Sequence, residues 1–171
     1  MENFSNETID ITQLPKFEEV PFLSLKKSYW KVILINLFIV FLLITIGLGF
    51  ALLKIEELVT YRLEISSAFG LFILIFIFFS NLSFKKKGFA FRDHDVLFRY
   101  GIIATNTIVI PYNRIQHVAL HEGIVSRYFG LAKIEIFTAG GSSSDIEIPG
   151  IEKEQAENIK QLLMGKIQKQ L

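Results

Sequence analysis

Two apolar stretches decide the fold: Val32–Leu53, VILINLFIVFLLITIGLGFALL, and Ile65–Phe84, ISSAFGLFILIFIFFSNLSF. The first has 22 residues, the second has 20, and neither contains a charged side chain. A helix rises about 1.5 Å per residue, so either stretch crosses the roughly 30 Å hydrocarbon layer of a bilayer. Because lipid cannot hydrogen-bond the backbone, such stretches are expected to be helical. The sequence therefore predicts transmembrane helices at 32–53 and 65–84, joined by a short external loop, 54–64.

Lys and Arg side chains are distributed unevenly around these spans. The 15 residues before the first span hold three, the 15 after the second hold five, and the loop holds two. Because cytoplasmic flanks carry the excess of positive charge, both termini are predicted to lie in the cytoplasm. This gives a cytoplasmic N-terminal segment, 1–31, and a cytoplasmic domain, 85–171. Within the N-terminal segment, Met1–Thr12 is expected to be a disordered tail. Pro15 to Leu23 is either a plain linker or a segment along the membrane surface.

After Lys87 the apolar residues alternate with period two, which is typical of half-buried strands. The first predicted strand is Gly88–Arg92, the strand Ile102–Ile110 follows later, and a glycine-rich turn lies at 139–144. From 152 onward the period becomes helical, with apolar residues at Ala156, Ile159, Leu163 and Ile167. The prediction is an α+β membrane protein. Its domain is a bent sheet or open barrel of about seven strands, capped by a C-terminal helix.

Charge and composition exclude several functions. The net charge of +1 argues against nucleic-acid binding, and the absence of cysteine excludes disulfides and thiolate chemistry. His117 and His121 share a strand face but lie about 13 Å apart at about 3.3 Å per residue, which is too far to share one metal ion. No catalytic motif appears, so no enzyme activity, cofactor or metal is expected.

The candidate contact residues are cationic or aromatic. Lys85, Lys86 and Lys87 are predicted to contact anionic lipid headgroups, although they also simply mark the cytoplasmic end of the second span. Arg114 is expected to hold a strand corner by hydrogen-bonding carbonyl groups, and His117 to bond the backbone or the Arg114 region. The segment Ile124–Phe129 either caps the barrel core, which is the favoured interpretation, or forms an exposed partner patch.

Three motifs in fixed order carry a family resemblance: PYNRIQHV at 111–118, RYFGLA at 127–132 and TAGG at 138–141. With the two spans, they resemble the YdbS-like bacterial pleckstrin-homology (PH) family, once called membrane-flanked domain proteins. The resemblance implies seven strands in two bent sheets and a terminal helix. It implies no settled biochemical activity. The resemblance also implies that four residues either support the structure of the motifs or contact a partner: Arg114, His117, Arg127 and Phe129.

The resemblance also locates the protein in the bacterial inner membrane and suggests a partner, a larger membrane protein with tandem PH-like domains. A homo-oligomer is a further possibility. Eukaryotic PH domains bind phosphoinositides through cations around the first hairpin, whereas the turn Arg92–Asp95 carries two carboxylates, so phosphoinositide binding is not expected.

The function predicted from the sequence is a non-enzymatic scaffold, assembly or lipid-surface module. The alternative is an accessory component of a transport or envelope-stress system acting through the spans. Against that alternative, neither span contains an ionisable side chain. The polar residues inside the spans, notably Asn36, are expected to serve helix packing rather than an ion path.

Overall fold

The computed structural model describes residues 19–139 and 145–168. The helices are α1 Lys27–Lys54, α2 Glu56–Val59, α3 Arg62–Lys86, α4 Ile124–Tyr128 and α5 Lys153–Gln168. The strands are β1 Leu23–Ser24, β2 Gly88–Phe91, β3 Asp95–Tyr100, β4 Asn106–Pro111, β5 Ile115–His121, β6 Leu131–Thr138 and β7 Ile146–Glu152. A short 3-10 helix, Tyr112–Arg114, joins β4 to β5. The predictions for Met1–Thr12 and for turn residues 140–144 lie outside the described residues.

Helices α1 and α3 form the apolar hairpin predicted from the sequence. Both are long enough and apolar enough to cross a membrane. The ring of Phe41 on α1 packs against Phe69, Phe72 and Phe76 on α3, with ring centroids 5.6 to 6.3 Å apart. Most other apolar side chains of the pair are exposed, as expected for helices that face lipid rather than a protein core.

Asn36 does not pack as expected. Its side chain is exposed on α1, and it makes no side-chain hydrogen bond with the described residues. The amide therefore does not join the two helices of the hairpin, which are held by the Phe41 cluster instead.

Two antiparallel sheets enclose the core of the C-terminal domain. One has the strand order β1-β2-β3-β4 and the other β5-β6-β7. Alternate side chains of β6 and β7, such as Ile134, Ile136 and Ile148, point inward and are fully buried. Helix α5 closes one end of the core with Ala156 and Leu163, as its 3.6-residue period predicted.

The first strand of this domain precedes the hairpin. Leu23 pairs with Phe89, and Ser24 pairs with Gly88, so β1 and β2 are neighbours although the whole hairpin separates them. The next residue, Leu25, is buried in the domain core. The stretch from Pro15 to Leu23 was expected to be a linker or a surface segment, but its last residue begins a strand. A domain boundary at 85 omits β1 and must be corrected.

The second correction concerns the predicted strand Ile102–Ile110. Its first residues form a turn, and β4 begins only at Asn106. Gly101 has a φ of +113°, and a Cβ at this position would lie 2.0 Å from the Ala104 carbonyl oxygen, so the turn requires glycine. The β-branched residues Ile102 and Ile103 suggest a strand, but this backbone conformation reverses the chain before they can pair.

Candidate membrane-facing site

The three lysines that follow the second span point in different directions. Lys85 is exposed beside Trp30 and Phe84. Lys86 donates a hydrogen bond from Nζ to the carbonyl oxygen of Ile102, 2.9 Å away, and so ties the β3–β4 turn to the end of α3. Lys87 is half-buried and faces a cleft between the two sheets. They do not form one uniform cationic patch.

The cleft that Lys87 enters has a volume of about 570 Å³. It opens at the end of the domain that carries the hairpin, and its walls come from both sheets and from the first turn of α1. Burial lowers the pKa of Lys87, and the Glu147 carboxylate partly opposes that shift. Its lining includes aromatic, cationic and acidic side chains, among them Tyr29, Tyr100, His121, Lys133, Asp145 and Glu147.

The acidic side chains of the cleft already have partners. Lys133 Nζ lies 2.5 Å from Glu135 and 2.9 Å from Glu147. Burial acts to lower the pKa of Lys133, but the hydrogen bonds to these two carboxylates outweigh it, and the pKa is raised. Asp145 accepts hydrogen bonds from the backbone N–H and the hydroxyl of Thr138. Lys87 shares the cleft with Glu147, whose carboxylate acts on its pKa. The cleft therefore combines cations with carboxylates.

We call the start of α1 and the end of α3, where the hairpin joins the domain, its roots. The root of α1 is fixed to the domain at the same end as the cleft. The Lys26 backbone N–H donates to the Gly150 carbonyl, 3.0 Å away, and Lys26 Nζ lies 2.6 Å from Glu152. Tyr29 packs directly on Gly150, where a Cβ would lie 2.5 Å from the tyrosine ring. The Trp30 and Phe84 rings lie 5.8 Å apart and join the two helices beside the domain.

The acidic turn between β2 and β3 lies at the opposite end. Gly88 pairs with Arg99 near the hairpin, whereas Asp95 pairs with Pro111 at the far end of the sheet. The turn therefore lies about 17 Å from Lys87, at about 3.3 Å per residue along β2. In the strand order β1-β2-β3-β4 this turn is the second connection, because the apolar hairpin is the connection between β1 and β2. The carboxylates of this turn thus give no evidence about headgroup binding near the membrane.

Tyr112, which was not singled out from the sequence, connects the chain segments at this far end. The Tyr112 hydroxyl donates to the Arg92 carbonyl, and its backbone N–H donates to the His94 carbonyl. The Arg92 guanidinium forms a two-point ion pair with Asp95. Burial, reinforced by the nearby aspartates, raises the pKa of Tyr112 to about 12.

The expected role of Arg114 is therefore filled by Tyr112. Arg114 is exposed, and its guanidinium makes no hydrogen bond or ion pair with the described part of the chain. His117 does not bond the backbone or the Arg114 region as expected, but stacks on Phe137 with ring centroids 4.1 Å apart. The described residues contain no group of three or more side chains placed to hold a metal ion.

The segment that was expected to cap the core does not do so. Ile124 and Tyr128 are exposed, and α5 closes the core instead. Arg127 is largely exposed, 3.7 Å from Glu122, and the Phe129 and Tyr128 rings lie 5.3 Å apart at nearly a right angle.

Two bent antiparallel sheets, a closing C-terminal helix and a pair of apolar helices define the class, a PH-like domain joined to membrane-spanning segments. The chain belongs to the bacterial PH domain family, whose family model matches residues 10–167. This confirms the family resemblance read from the three sequence motifs.

Two relatives from Bacillus subtilis (strain 168) are similar to the chain. One is the UPF0699 transmembrane protein YdbT, 27% identical over 108 residues, which are 63% of this chain and 22% of YdbT. The other is the UPF0699 transmembrane protein YdbS, 26% identical over 91 residues, which are 53% of this chain and 55% of YdbS. The chain therefore spans about half of YdbS and about a fifth of YdbT. No solved structure shows a significant match.

Proposed function

We propose that this protein is a non-enzymatic module that holds a PH-like domain against the cytoplasmic face of the bacterial inner membrane, where it binds the lipid surface and scaffolds other proteins. The pairing of β1 with β2 carries the proposal. Because the two strands leave the hairpin at its two roots and bond to each other, the domain is attached by two adjacent points. Such an attachment restrains rotation and keeps one end of the domain toward the bilayer.

The orientation is supported by the uneven distribution of cations. Lys26, Lys27 and Lys31 stand at one root and Lys85 and Lys86 at the other, whereas the loop between the helices has only two cations beside three glutamates. A reporter active only in the cytoplasm should be active when fused after residue 171 and inactive when inserted within 54–64. Activity only at the loop position would place the domain on the other side of the membrane and end the proposal.

Lipid contact is proposed to be electrostatic, with cations at the roots meeting anionic headgroups at about 1 kcal/mol for each cation near the surface. The test uses the full chain in nanodiscs of zwitterionic lipid, with or without anionic lipid. Acylation of each lysine is measured by mass spectrometry. Lys27 and Lys85 should be protected in anionic discs, and the protection should fade at high salt because the Debye length shortens.

Lys166 on α5 is the internal control, because its Nζ bonds the Asp93 carbonyl at the end of the domain opposite the hairpin roots. Its acylation should be independent of lipid charge. Equal reactivity of Lys27 and Lys85 in both kinds of disc would refute lipid-surface binding. Protection that resists high salt and depends on one headgroup would instead indicate a specific pocket, with Lys87 in the cleft as its cation.

The scaffold part of the proposal concerns partners within the membrane. Asn36 presents an exposed amide on the flank of α1, and an amide in hydrocarbon gains from a hydrogen bond to a neighbouring helix. We propose that this helix belongs to a larger membrane protein with tandem PH-like domains or to a second copy of the chain. The length of YdbT, of which the matched segment is only about a fifth, fits a larger relative of this kind.

The proposal is non-enzymatic because the polar groups of the cleft serve one another. Glu135 and Glu147 hold Lys133, and Asp145 holds Thr138. A general acid or base needs a carboxyl or imidazole directed at a substrate, whereas these carboxylates are bonded to Lys133 and Thr138.

A further inference from the structure

Three apolar side chains of the domain are exposed far more than the rest. Ile103 is 97% exposed, Ile124 is 93% exposed and Tyr128 is 87% exposed. Within residues 88–139 and 145–168, every other large apolar side chain is less than 50% exposed, and Leu23 on β1 is 53% exposed. The three occupy two projections, which we call the turn tip (Gly101–Thr105) and the helix tip (α4).

The turn tip lies beside the end of the second span. Lys86, the last residue of α3, donates its Nζ hydrogen bond to the Ile102 carbonyl, and the neighbouring residue Ile103 points away from the domain. Lys86 is two residues past Phe84, the last residue of the apolar run, which is about 3 Å along a helix. The turn tip is therefore held at the height where the second helix leaves the hydrocarbon.

The helix tip lies beside the start of the first span. Helix α4 joins the end of β5 to the start of β6, and it packs against α1. That end of the sheet is fixed to the root of α1 through the Lys26–Gly150 hydrogen bond. The apolar run begins at Val32, five residues after α1 starts, or about 7.5 Å along the helix axis. Ile124 and Tyr128 thus lie close to the edge of the hydrocarbon as well.

We propose that the turn tip and the helix tip insert into the interfacial layer of the bilayer, one on each side of the hairpin. The inference rests on the proposed orientation of the domain toward the lipid surface and goes beyond it, because it assigns contacts that are apolar rather than electrostatic. Isoleucine and tyrosine are suited to this layer, where an apolar body meets lipid and a hydroxyl stays hydrated. The opposite end of the domain, with Asp93, His94 and Lys166, is polar.

The bilayer is the occupant that this position favours. Both tips are attached to a helix root, so the lipid around the hairpin is already beside them without any association step. The cations Lys27 and Lys85 stand at the same roots, where anionic headgroups would lie above the inserted side chains. A soluble protein that covered both tips would have to occupy the space beside the spans.

The chain has no cysteine, so single labels can be introduced directly. Ile103→Cys, Ile124→Cys and the control His94→Cys are each spin-labelled in the full chain and placed in nanodiscs at one copy per disc. Relaxation by oxygen, which concentrates in lipid, is compared with relaxation by a water-soluble nickel chelate. Labels at positions 103 and 124 should favour oxygen over the chelate by several-fold more than the label at position 94.

The proposal would be overturned if the ratio of oxygen relaxation to chelate relaxation at positions 103 and 124 were equal to that at position 94. Insertion of only one tip would also overturn it. Protection from the chelate that appears only with two copies per disc would show that a second copy covers the tips and would also overturn it. The outcome is separable from the proposed function. Salt-sensitive protection of Lys27 and Lys85 together with water-exposed labels would preserve surface binding and refute insertion alone.

Discussion

Truncating Leu25 tests whether the residues before the hairpin belong to the folded domain. Leu25 is only 5% exposed and packs in the same core as Phe89 and Ile151, although the hairpin separates it from both in the chain. Leu25→Ala removes three carbon atoms, worth about 2.4 kcal/mol at about 0.8 kcal/mol each. The cavity left behind adds to this, so we expect a loss of about 3 kcal/mol in the free energy of unfolding of the domain.

The assay is amide hydrogen exchange of β6, the central strand of its sheet, in the full chain in nanodiscs. When exchange requires opening of the whole domain, about 3 kcal/mol corresponds to an increase of about 150-fold in the exchange rate. Leu23→Ala is the matched control, because Leu23 lies only two residues before Leu25, on β1, but is 53% exposed. Its effect should stay within about 0.5 kcal/mol, or about twofold. Equal effects of the two variants would refute the placement of β1 in the cooperative core.

Two further predictions concern the root of α1 and the far end of the domain. Gly150→Ala should destabilise the domain by more than about 1 kcal/mol in thermal melts, because Gly150 has a φ of +67° and its Cβ would overlap the Tyr29 ring. Gly165→Ala, in the open surroundings of α5, should instead stabilise it by up to about 1 kcal/mol, and the same sign for both would contradict the packing described. In the folded chain the pKa of Tyr112 is about 12, against an ordinary value of 10. Below pH 10 the phenol is therefore protonated in both the folded and the unfolded state, and it costs no stability. Stability should fall as pH rises from 10 to 12, and Tyr112→Phe should remove that part of the fall; identical alkaline profiles would show that the phenol ionises as readily in the folded chain.

The elements that sequence predicts well here are those with a long, regular pattern. The two uncharged runs and the 3.6-residue spacing from Ala156 to Ile167 each extend over several turns, and both produced helices close to the predicted bounds. Strand β1 could not be found in this way, because two residues have no period and its partner lies 64 positions later in the chain.

The candidate site was predicted less completely for a related reason. The residue types of Lys85, Lys86 and Lys87 locate the end of a span, but their directions depend on the helix end and on the neighbouring turn. One lysine bonds Ile102, one is exposed and one enters the cleft. Likewise, the apolar character of Ile124 suggests burial in a core. It is exposed because α5 closes the core and α4 lies outside it, an arrangement that a sequence pattern does not encode.

The pairing of β1 with β2 has a consequence for biosynthesis. Strand β1 is translated before either span, and β2 is translated only after both, so the sheet must remain incomplete while the hairpin enters the membrane. Until then Phe89 and Leu25 cannot share a core, and the edge of β2 stays open to pairing with other chains. Closure of the sheet thus couples maturation of the domain to correct insertion. A chain in which only one of the two helices crosses the membrane separates β1 from β2 and leaves the domain without its first strand.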